Sequence, residues 1–259
     1  MPDSGEIAIQ RVIEIMYENL GEPITVAELA QAASFSKFHF SRVFQRVTGT
    51  SPGRFLSTIR LEEAKRLLLS TALKVADISL RVGYTSVGTF STRFTRSVGV
   101  TPTAYRQSHR EAAHLNDLPS LPSSAGVLSG RVLQRQSERG GHIYLGLFRG
   151  PVPEGPPTRC TILDGPGPFR LDRVPAGDWF VLAHSTAVPI ERSVDEAQLH
   201  DQRIAVGSVG PLKVCHGTPT TDIGLQLRPM RSIDHSMLLA LLAVRRGAKQ
   251  ARQRQHLAA

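Results

Sequence analysis

A stretch of 27 residues, Val26 to Pro52, recurs as a stretch of 28, Val75 to Pro102. The first reads VAELAQAASFSKFHFSRVFQRVTGTSP and the second VADISLRVGYTSVGTFSTRFTRSVGVTP. Val26-Ala27 matches Val75-Ala76, Leu29 matches Ile78, and Phe35 matches Tyr84. One extra residue then enters the second copy. Beyond it, Phe40-Ser41, Phe44, Arg46, Gly49 and Pro52 match Phe90-Ser91, Phe94, Arg96, Gly99 and Pro102. Such a repeat constrains the architecture before any single residue is read, because each copy is one supersecondary unit.

Helical periodicity runs through both copies. Ile9, Val12, Ile13, Met16, Tyr17 and Leu20 predict one helix, ended by Gly21 and Pro23. Thr25 with Glu28 three positions on is a capping box opening the next helix, whose small and apolar positions are Ala27, Leu29, Ala30 and Ala33. A turn at Ser34-Phe35 leads to a helix from about Ser36 to Thr48, with Gly49 as its stop. A longer helix, about Pro52 to Ser70, carries Phe55, Leu56, Ile59, Leu61, Ala64, Leu67 and Leu68. At about 1.5 Å per residue it is a rod of about 27 Å, able to hold two small units at a fixed separation. The second copy runs to about Val98, and a short helix starts near Pro102. Two helices across a short turn make a helix-turn-helix, whose second helix enters the DNA major groove.

Charge agrees with an anionic partner. The net charge is +9, distributed as +4 over residues 1–114, zero over 115–244 and +5 over 245–259. Residues 1–111 therefore read as an all-α double helix-turn-helix domain. Residues 112–126, AAHLNDLPSLPSSAG, read as a linker rich in Pro, Ser and Ala. Residues 127–232 read as a mainly-β domain of sandwich type. Its candidate strands are VLSGRVLQ, HIYLGLF, TRCTILD, PFRLDRV, DWFVLAH, RIAVGSV, LKVCH and DIGLQLR, and Ser193–Asp201 is a candidate inserted helix. Residues 233–259 read as a final helix from about Asp234 and a basic tail carrying Arg245, Arg246, Lys249, Arg252 and Arg254. The longest apolar run, Met237 to Val244, is too short for the about 20 residues that cross a bilayer. No secretion signal is visible, and a cytoplasmic location, nucleoid-associated when bound, is the simplest reading.

In the first recognition helix the exposed positions are Lys37, Phe38, His39, Ser41 and Arg42, with Phe40, Val43, Phe44 and Val47 as the packing stripe. Arg42 is the strongest base reader, since its planar fork donates two hydrogen bonds to guanine. Phe38 either presses on thymine methyls or caps the turn. Arg46, Arg54 and Lys65 read as solvated or backbone-contacting charges, which position a protein without reading sequence. The second helix offers Ser86, Val87, Gly88, Thr89, Ser91 and Thr92, none of which makes a bidentate base contact. Arg93 and Arg96 suit phosphates. The first unit thus supplies most of the hydrogen-bonded specificity, while the second adds backbone affinity, methyl contacts and shape readout.

Ala8 to Gln107 resembles the DNA-binding domain of the AraC/XylS family of bacterial transcription regulators. The carrying residues are Ile78, Gly83, Tyr84, Phe90, Phe94, Gly99, Pro102 and Tyr105. The resemblance implies seven helices, two recognition helices in adjacent major grooves of double-stranded DNA, and activation through RNA polymerase, while the residues equally allow repression by occlusion. Many members carry Ser-Arg where this chain has Ser91-Thr92, with Arg93 one place later. Most members also place this domain last, whereas here it comes first. The C-terminal half resembles the transthyretin-like or carboxypeptidase regulatory-like β-sandwich through SGRV at Ser129, GGHIYLGLF at Gly140 and PGPFRLDRVPAGDWFVLA at Pro166. It is expected to sense a small-molecule effector, dimerise or contact another protein.

No P-loop, G-x-S-x-G, H-E-x-x-H or G-x-G-x-x-G is present, so a non-enzyme without catalytic residues, metal or cofactor is expected. Two cysteines, Cys160 and Cys215, form neither a disulfide framework nor a zinc pattern. The rival is a DNA-directed alkyltransferase-like enzyme using Cys215. Such enzymes carry Pro-Cys-His-Arg where this chain has Val-Cys-His-Gly, and a strand-core role for Cys215 is the favoured reading. Trp179, Phe180, Tyr144 and Phe148 read as sandwich core ahead of a ligand pocket, and His142, His184 and His200 lack metal spacing.

Overall fold

The repeat in the sequence is a repeat in the backbone. The computed structural model describes residues 4–108, 126–134, 142–185, 204–215 and 220–234. Its helices are α1 (Ser4–Glu18), α2 (Val26–Ala32), α3 (Lys37–Thr48), α4 (Pro52–Ser70), α5 (Val75–Arg81), α6 (Val87–Val98) and α7 (Pro102–Ser108). α2 and α5 have 7 residues each and α3 and α6 have 12. The extra residue of the second copy falls in its turn, between α5 and α6. Ser34 (φ 56°) and Gly83 (φ 80°) bend the two turns through the left-handed region.

Local chemistry sets these boundaries. The Thr25 hydroxyl accepts from the Glu28 backbone N–H (3.2 Å), and Glu28 accepts from the Thr25 backbone N–H (2.8 Å). That backbone bond, with the Thr25 hydroxyl, holds the Glu28 carboxyl below its ordinary range. Ser36 and Ser86 cap α3 and α6, each accepting at 3.3 Å from the N–H three residues on. Gly49 (φ 76°) and Gly99 (φ 92°) close the same helices in the left-handed conformation that glycine adopts at little cost.

Each recognition helix is seated by a matched aromatic trio. Phe40 and Phe44 lie 5.5 Å apart, and Phe44 meets Phe55 of α4 edge-on at 5.5 Å. Phe90 and Phe94 lie 5.6 Å apart, and Phe94 meets Tyr105 of α7 edge-on at 5.6 Å. All six rings are fully buried. Around the first trio pack Ile9, Val12, Ile13 and Met16 of α1, Leu29 and Ala30 of α2, and Ile59 of α4. Ile233, from the far end of the chain, completes that cluster, and Arg231 pairs with Glu6 of α1 at 3.0 Å. Lys65, expected at the surface, is 3% exposed and paired with Glu62 at 3.2 Å, because its place on α4 falls in the apolar stripe between Ala64 and Leu68.

A matched pair of arginines braces the two copies. Arg60 of α4 donates from Nε to the Leu20 carbonyl (2.9 Å) and from Nη2 to that of Glu22 (2.7 Å). Arg106 of α7 donates likewise to the carbonyls of Leu68 (3.1 Å) and Leu73 (2.6 Å). In both copies the helix that follows the unit thus ties off the chain that precedes it, for the second copy the end of α4 and the loop before α5.

The C-terminal unit contains β1 (Gly126–Leu133), β2 (Ile143–Phe148), β3 (Arg159–Leu163), β4 (Gly167–Val174), β5 (Gly177–Ser185), β6 (Ala205–Val214), β7 (Thr220–Gln226) and β8 (Arg228–Pro229). They form a three-stranded sheet ordered β4-β1-β7 and a five-stranded sheet ordered β3-β2-β5-β6-β8. Pairing is antiparallel except between β1 and β7. Inward residues of both sheets share one apolar cluster, from Leu128 and Val132 through Leu145, Phe169, Trp179 and Val181 to Ile223 and Leu225. Several expectations need correction. RIAVGSV and LKVCH are one strand, β6, since Gly210-Pro211 is carried inside it as a bulge opposite Phe180 of β5. Gly210 (φ 151°) allows this because a Cβ there would lie 2.6 Å from the Phe180 ring. β8 was also not foreseen, two residues being too short to show periodicity. Gly126, placed at the end of the linker, already belongs to β1. The rest of the linker, Ser193–Asp201, His200, the final helix beyond Asp234 and the basic tail lie outside the described residues.

Trp179 is core, with Nε1 donating to the Pro175 carbonyl (2.7 Å) and the Arg149 guanidinium 3.8 Å from its ring centre. Tyr144 and Phe148 are also buried, and His184 stacks on Tyr144 at 5.1 Å. Cys215, expected in a strand core, is instead exposed one residue past the end of β6, whereas Cys160 is buried in β3. Burial pushes the Cys160 thiol up to about 12, leaving little thiolate at pH 8. A thiol-titrating reagent is therefore expected to count one cysteine in the native chain and two after unfolding. Rapid modification of both in the native state would contradict this packing.

Candidate nucleic-acid interface

The capping serines and closing glycines set where each recognition helix starts and stops, and the buried aromatic stripe fixes which side chains it presents. On α3, Lys37, Phe38, His39, Arg42 and Arg46 are exposed, while Phe40, Val43 and Phe44 face the core. Lys37, Phe38 and His39 fill the first turn, and Arg42 and Arg46 follow at four-residue steps from Phe38 along one ridge. Ser41 is half-buried, and its hydroxyl donates back to the Lys37 carbonyl at 2.9 Å. Four cationic or ionisable side chains therefore share one solvent-facing surface.

Phe38 is 73% exposed and lies beneath the Arg42 guanidinium, 5.8 Å from ring centre to carbon. The turn is filled instead by Phe35, which meets His39 edge-on at 4.8 Å and packs against the first core. Of the two readings open for Phe38, a hydrophobic cap on the turn is therefore the one its surroundings disfavour. The Arg42 fork and the Phe38 ring together present five N–H donors beside an apolar face.

On α6, Val87, Gly88, Thr89, Thr92 and Arg96 are exposed. Position by position, Val87 stands where α3 has Lys37, Gly88 where it has Phe38, Thr89 where it has His39, and Thr92 where it has Arg42. Only Arg96 repeats the charge of its counterpart, Arg46. Ser86 is exposed but spends its oxygen as the N-cap. Ser91 is half-buried and its carbonyl accepts from the Thr95 hydroxyl at 2.8 Å. Gly88 has no positive φ, and a Cβ there would meet nothing nearer than the Ser86 hydroxyl at 3.7 Å. Arg93 is turned toward α4, its Nε donating to the Ser57 hydroxyl at 3.2 Å.

That last contact exposes residues that sequence reasoning passed over. Ser57 also shares a hydrogen bond with the Tyr84 hydroxyl at 3.1 Å, joining α4 to the turn and recognition helix of the second copy. Burial raises the Tyr84 hydroxyl above its ordinary range and lowers the Arg60 guanidinium below its own. An arginine on the helix after each unit was visible, but neither its two carbonyl partners nor Ser57 carries a spacing signal.

Among the described residues no cluster of His, Cys, Asp or Glu is arranged to hold a metal ion, and no helix is long and apolar enough to cross a membrane. A helix-turn-helix domain family model matches residues 29–108. The transcriptional activator AarP of Providencia stuartii is 31% identical over 100 residues, 39% of this chain and 74% of that protein. The bifunctional transcriptional activator and DNA repair enzyme AdaA of Bacillus subtilis is 30% identical over 107 residues, 41% of this chain and 50% of that one. The solved DNA-binding domain of AdpA, in complex with a target DNA, is 31% identical, with 41% of this chain and 97% of that one covered and a TM-score of 0.39. The chain spans between about a third and two fifths of the length of several further regulators it matches.

The two phenylalanines near the start of α3 should behave oppositely on truncation. Phe40→Ala is expected to lower stability by about 3–5 kcal/mol, as for a large core side chain. Phe38→Ala should stay within about 0.5 kcal/mol of the parent, as for a surface substitution. Urea unfolding curves followed by circular dichroism check both.

Proposed function

The chain belongs to the AraC/XylS family of helix-turn-helix transcription regulators, and from that premise we propose that it is a sequence-specific DNA-binding regulator. α3 and α6 enter adjacent major grooves of double-stranded DNA, about one helical turn apart. The observation that carries this reading is the identical seating of two 12-residue helices, each capped by serine and glycine, with their first turns left exposed. In this reading Lys37, Phe38, His39, Ser41, Arg42 and Arg46 form the first contact set. Ser86, Val87, Gly88, Thr89, Ser91, Thr92, Arg93 and Arg96 form the second. Arg42 reads guanine in the major groove, and Phe38 meets thymine methyls beside it. Val87 and Thr89 give the second unit methyl contacts, and Arg96 holds phosphate.

The C-terminal unit, read as a β-sandwich of the transthyretin-like kind, serves effector sensing, dimerisation or protein contact. Activation proceeds through RNA polymerase. The similarity to AdaA keeps one rival worth testing, because Cys215 is exposed. Incubation with alkylated DNA followed by mass measurement should leave Cys215 unmodified, and a stable mass gain there would favour the repair reading.

The regulator reading is tested on duplexes selected from a random pool by the full chain. Arg42→Ala is expected to lose about 1–3 kcal/mol of discrimination at one or two base pairs. Arg96→Ala should weaken binding to all sequences alike and reduce the salt slope by about one. Equal, sequence-independent losses in both variants would overturn the assignment of Arg42.

A further inference from the structure

We propose that Gly21, Gly83, Arg60 and Ser57 form a junction that locks the two recognition helices at one separation, and thereby selects the spacing of the two DNA boxes the chain accepts. The inference rests on the reading of α3 and α6 as recognition helices.

The loop leading into the first copy touches the second copy backbone to backbone. Leu20 and Gly21 lie in the loop before α2, and Arg81 and Gly83 end α5 and form the turn before α6. A Cβ on Gly21 would lie 2.9 Å from the Arg81 carbonyl oxygen. A Cβ on Gly83 would lie 2.6 Å from the Leu20 carbonyl oxygen and 2.6 Å from Arg60 Nη2. No larger residue fits either place without moving one copy away from the other. Gly83 also needs its left-handed φ of 80°, but Gly21 does not, so steric approach alone accounts for the second glycine.

α4 bolts this contact together. Arg60 is clamped to the Leu20 and Glu22 carbonyls of the loop leading into the first copy, and its guanidinium is the surface on which Gly83 of the second copy rests. Ser57, three residues earlier and so on the same helix face, holds Tyr84 of the turn and Arg93 of α6. Arg106 makes a similar clamp, tying α7 to Leu68 at the end of α4 and to Leu73, but its carbonyl partners lie outside the Gly21–Gly83 contact. It supplies an internal control, an arginine of the same local chemistry without the cross-copy contact.

The chemistry of α6 explains why such a lock matters. A helix presenting Val87, Gly88, Thr89 and Thr92 gains too little from DNA to place itself. Its contacts count only if the first unit delivers it at high effective concentration and in the right orientation. One base pair added between the boxes shifts the second box by about 3.4 Å and turns it by about 35°. A rigid junction cannot follow that change.

The experiment selects binding sites from random duplexes with the full chain, then inserts or deletes one base pair between the two boxes. The parent is expected to lose about tenfold or more in affinity at the altered spacing. In Ser57→Ala, Arg60→Ala and Gly21→Ala that penalty should fall to about threefold or less, while Arg106→Ala keeps it. Ser57→Ala removes only a hydroxyl, so it reports even where the other variants fold poorly. An unchanged penalty in Ser57→Ala, or a parent indifferent to spacing, overturns the junction while leaving DNA recognition intact. Failure to select any site overturns the DNA-binding reading itself and the junction with it.

Discussion

Each recognition helix stays in place because its two phenylalanines, four residues apart, are driven against an aromatic ring on the following helix. Phe40, Phe44 and Phe55 make one trio and Phe90, Phe94 and Tyr105 the other, with neighbouring centroids 5.5–5.6 Å apart. Burying one such side chain contributes about 1.5–3 kcal/mol, and each favourable aromatic pair adds about 0.5–1.5. Twelve residues alone make a marginal helix in water. The trio gives α3 and α6 their stability and, by fixing which stripe is inward, their outward face. Everything the interface presents is set by that choice of stripe.

Once the stripe is fixed, polar residues are free to differ, and they do. Phe44 and Phe94 are equivalent in depth and partner, yet the positions six residues N-terminal to them hold Phe38 in α3 and Gly88 in α6. The inner surfaces of the copies have kept their match while the outer surfaces have not. Packing constrains the first through shape and volume. Nothing within the fold constrains the second, since Phe38 is exposed and Gly88 leaves room for a Cβ.

Much of this was legible in the chain. Ser36, Gly49 and Pro52, with their counterparts, mark helix ends by local rules that tertiary structure did not override. The fifteen-residue α1, its apolar positions at three- and four-residue steps, was equally plain. What escaped was long-range. Arg60 finds carbonyls 38 and 40 residues away, and Ser57 a tyrosine 27 residues on. Neither distance has any periodic trace. Lys65 is buried against the expectation from its charge, because its helical register sets it in the apolar stripe of α4. In the β unit, Gly210-Pro211 looked like a break because both residues ordinarily end strands. There the two residues form a bulge in β6 opposite Phe180 of β5, and a bulge shows only against the strand it pairs with.

The inequality of the two outer surfaces changes what the fold must supply. A recognition helix rich in bidentate donors can locate its own site, and a loose tether would serve it. A helix of small and apolar side chains recovers little free energy per contact, so the entropy of positioning it has to be removed beforehand. In this chain that removal falls to the close approach of Gly21 to Arg81 and Gly83 to Leu20, with Arg60 between. The glycines are therefore better understood through the weakness of α6 than through the turns in which they sit. Had Thr92 been an arginine like Arg42, the same junction would add restriction with little gain. The rigidity of the α4 face and the modest chemistry of α6 are two sides of one arrangement.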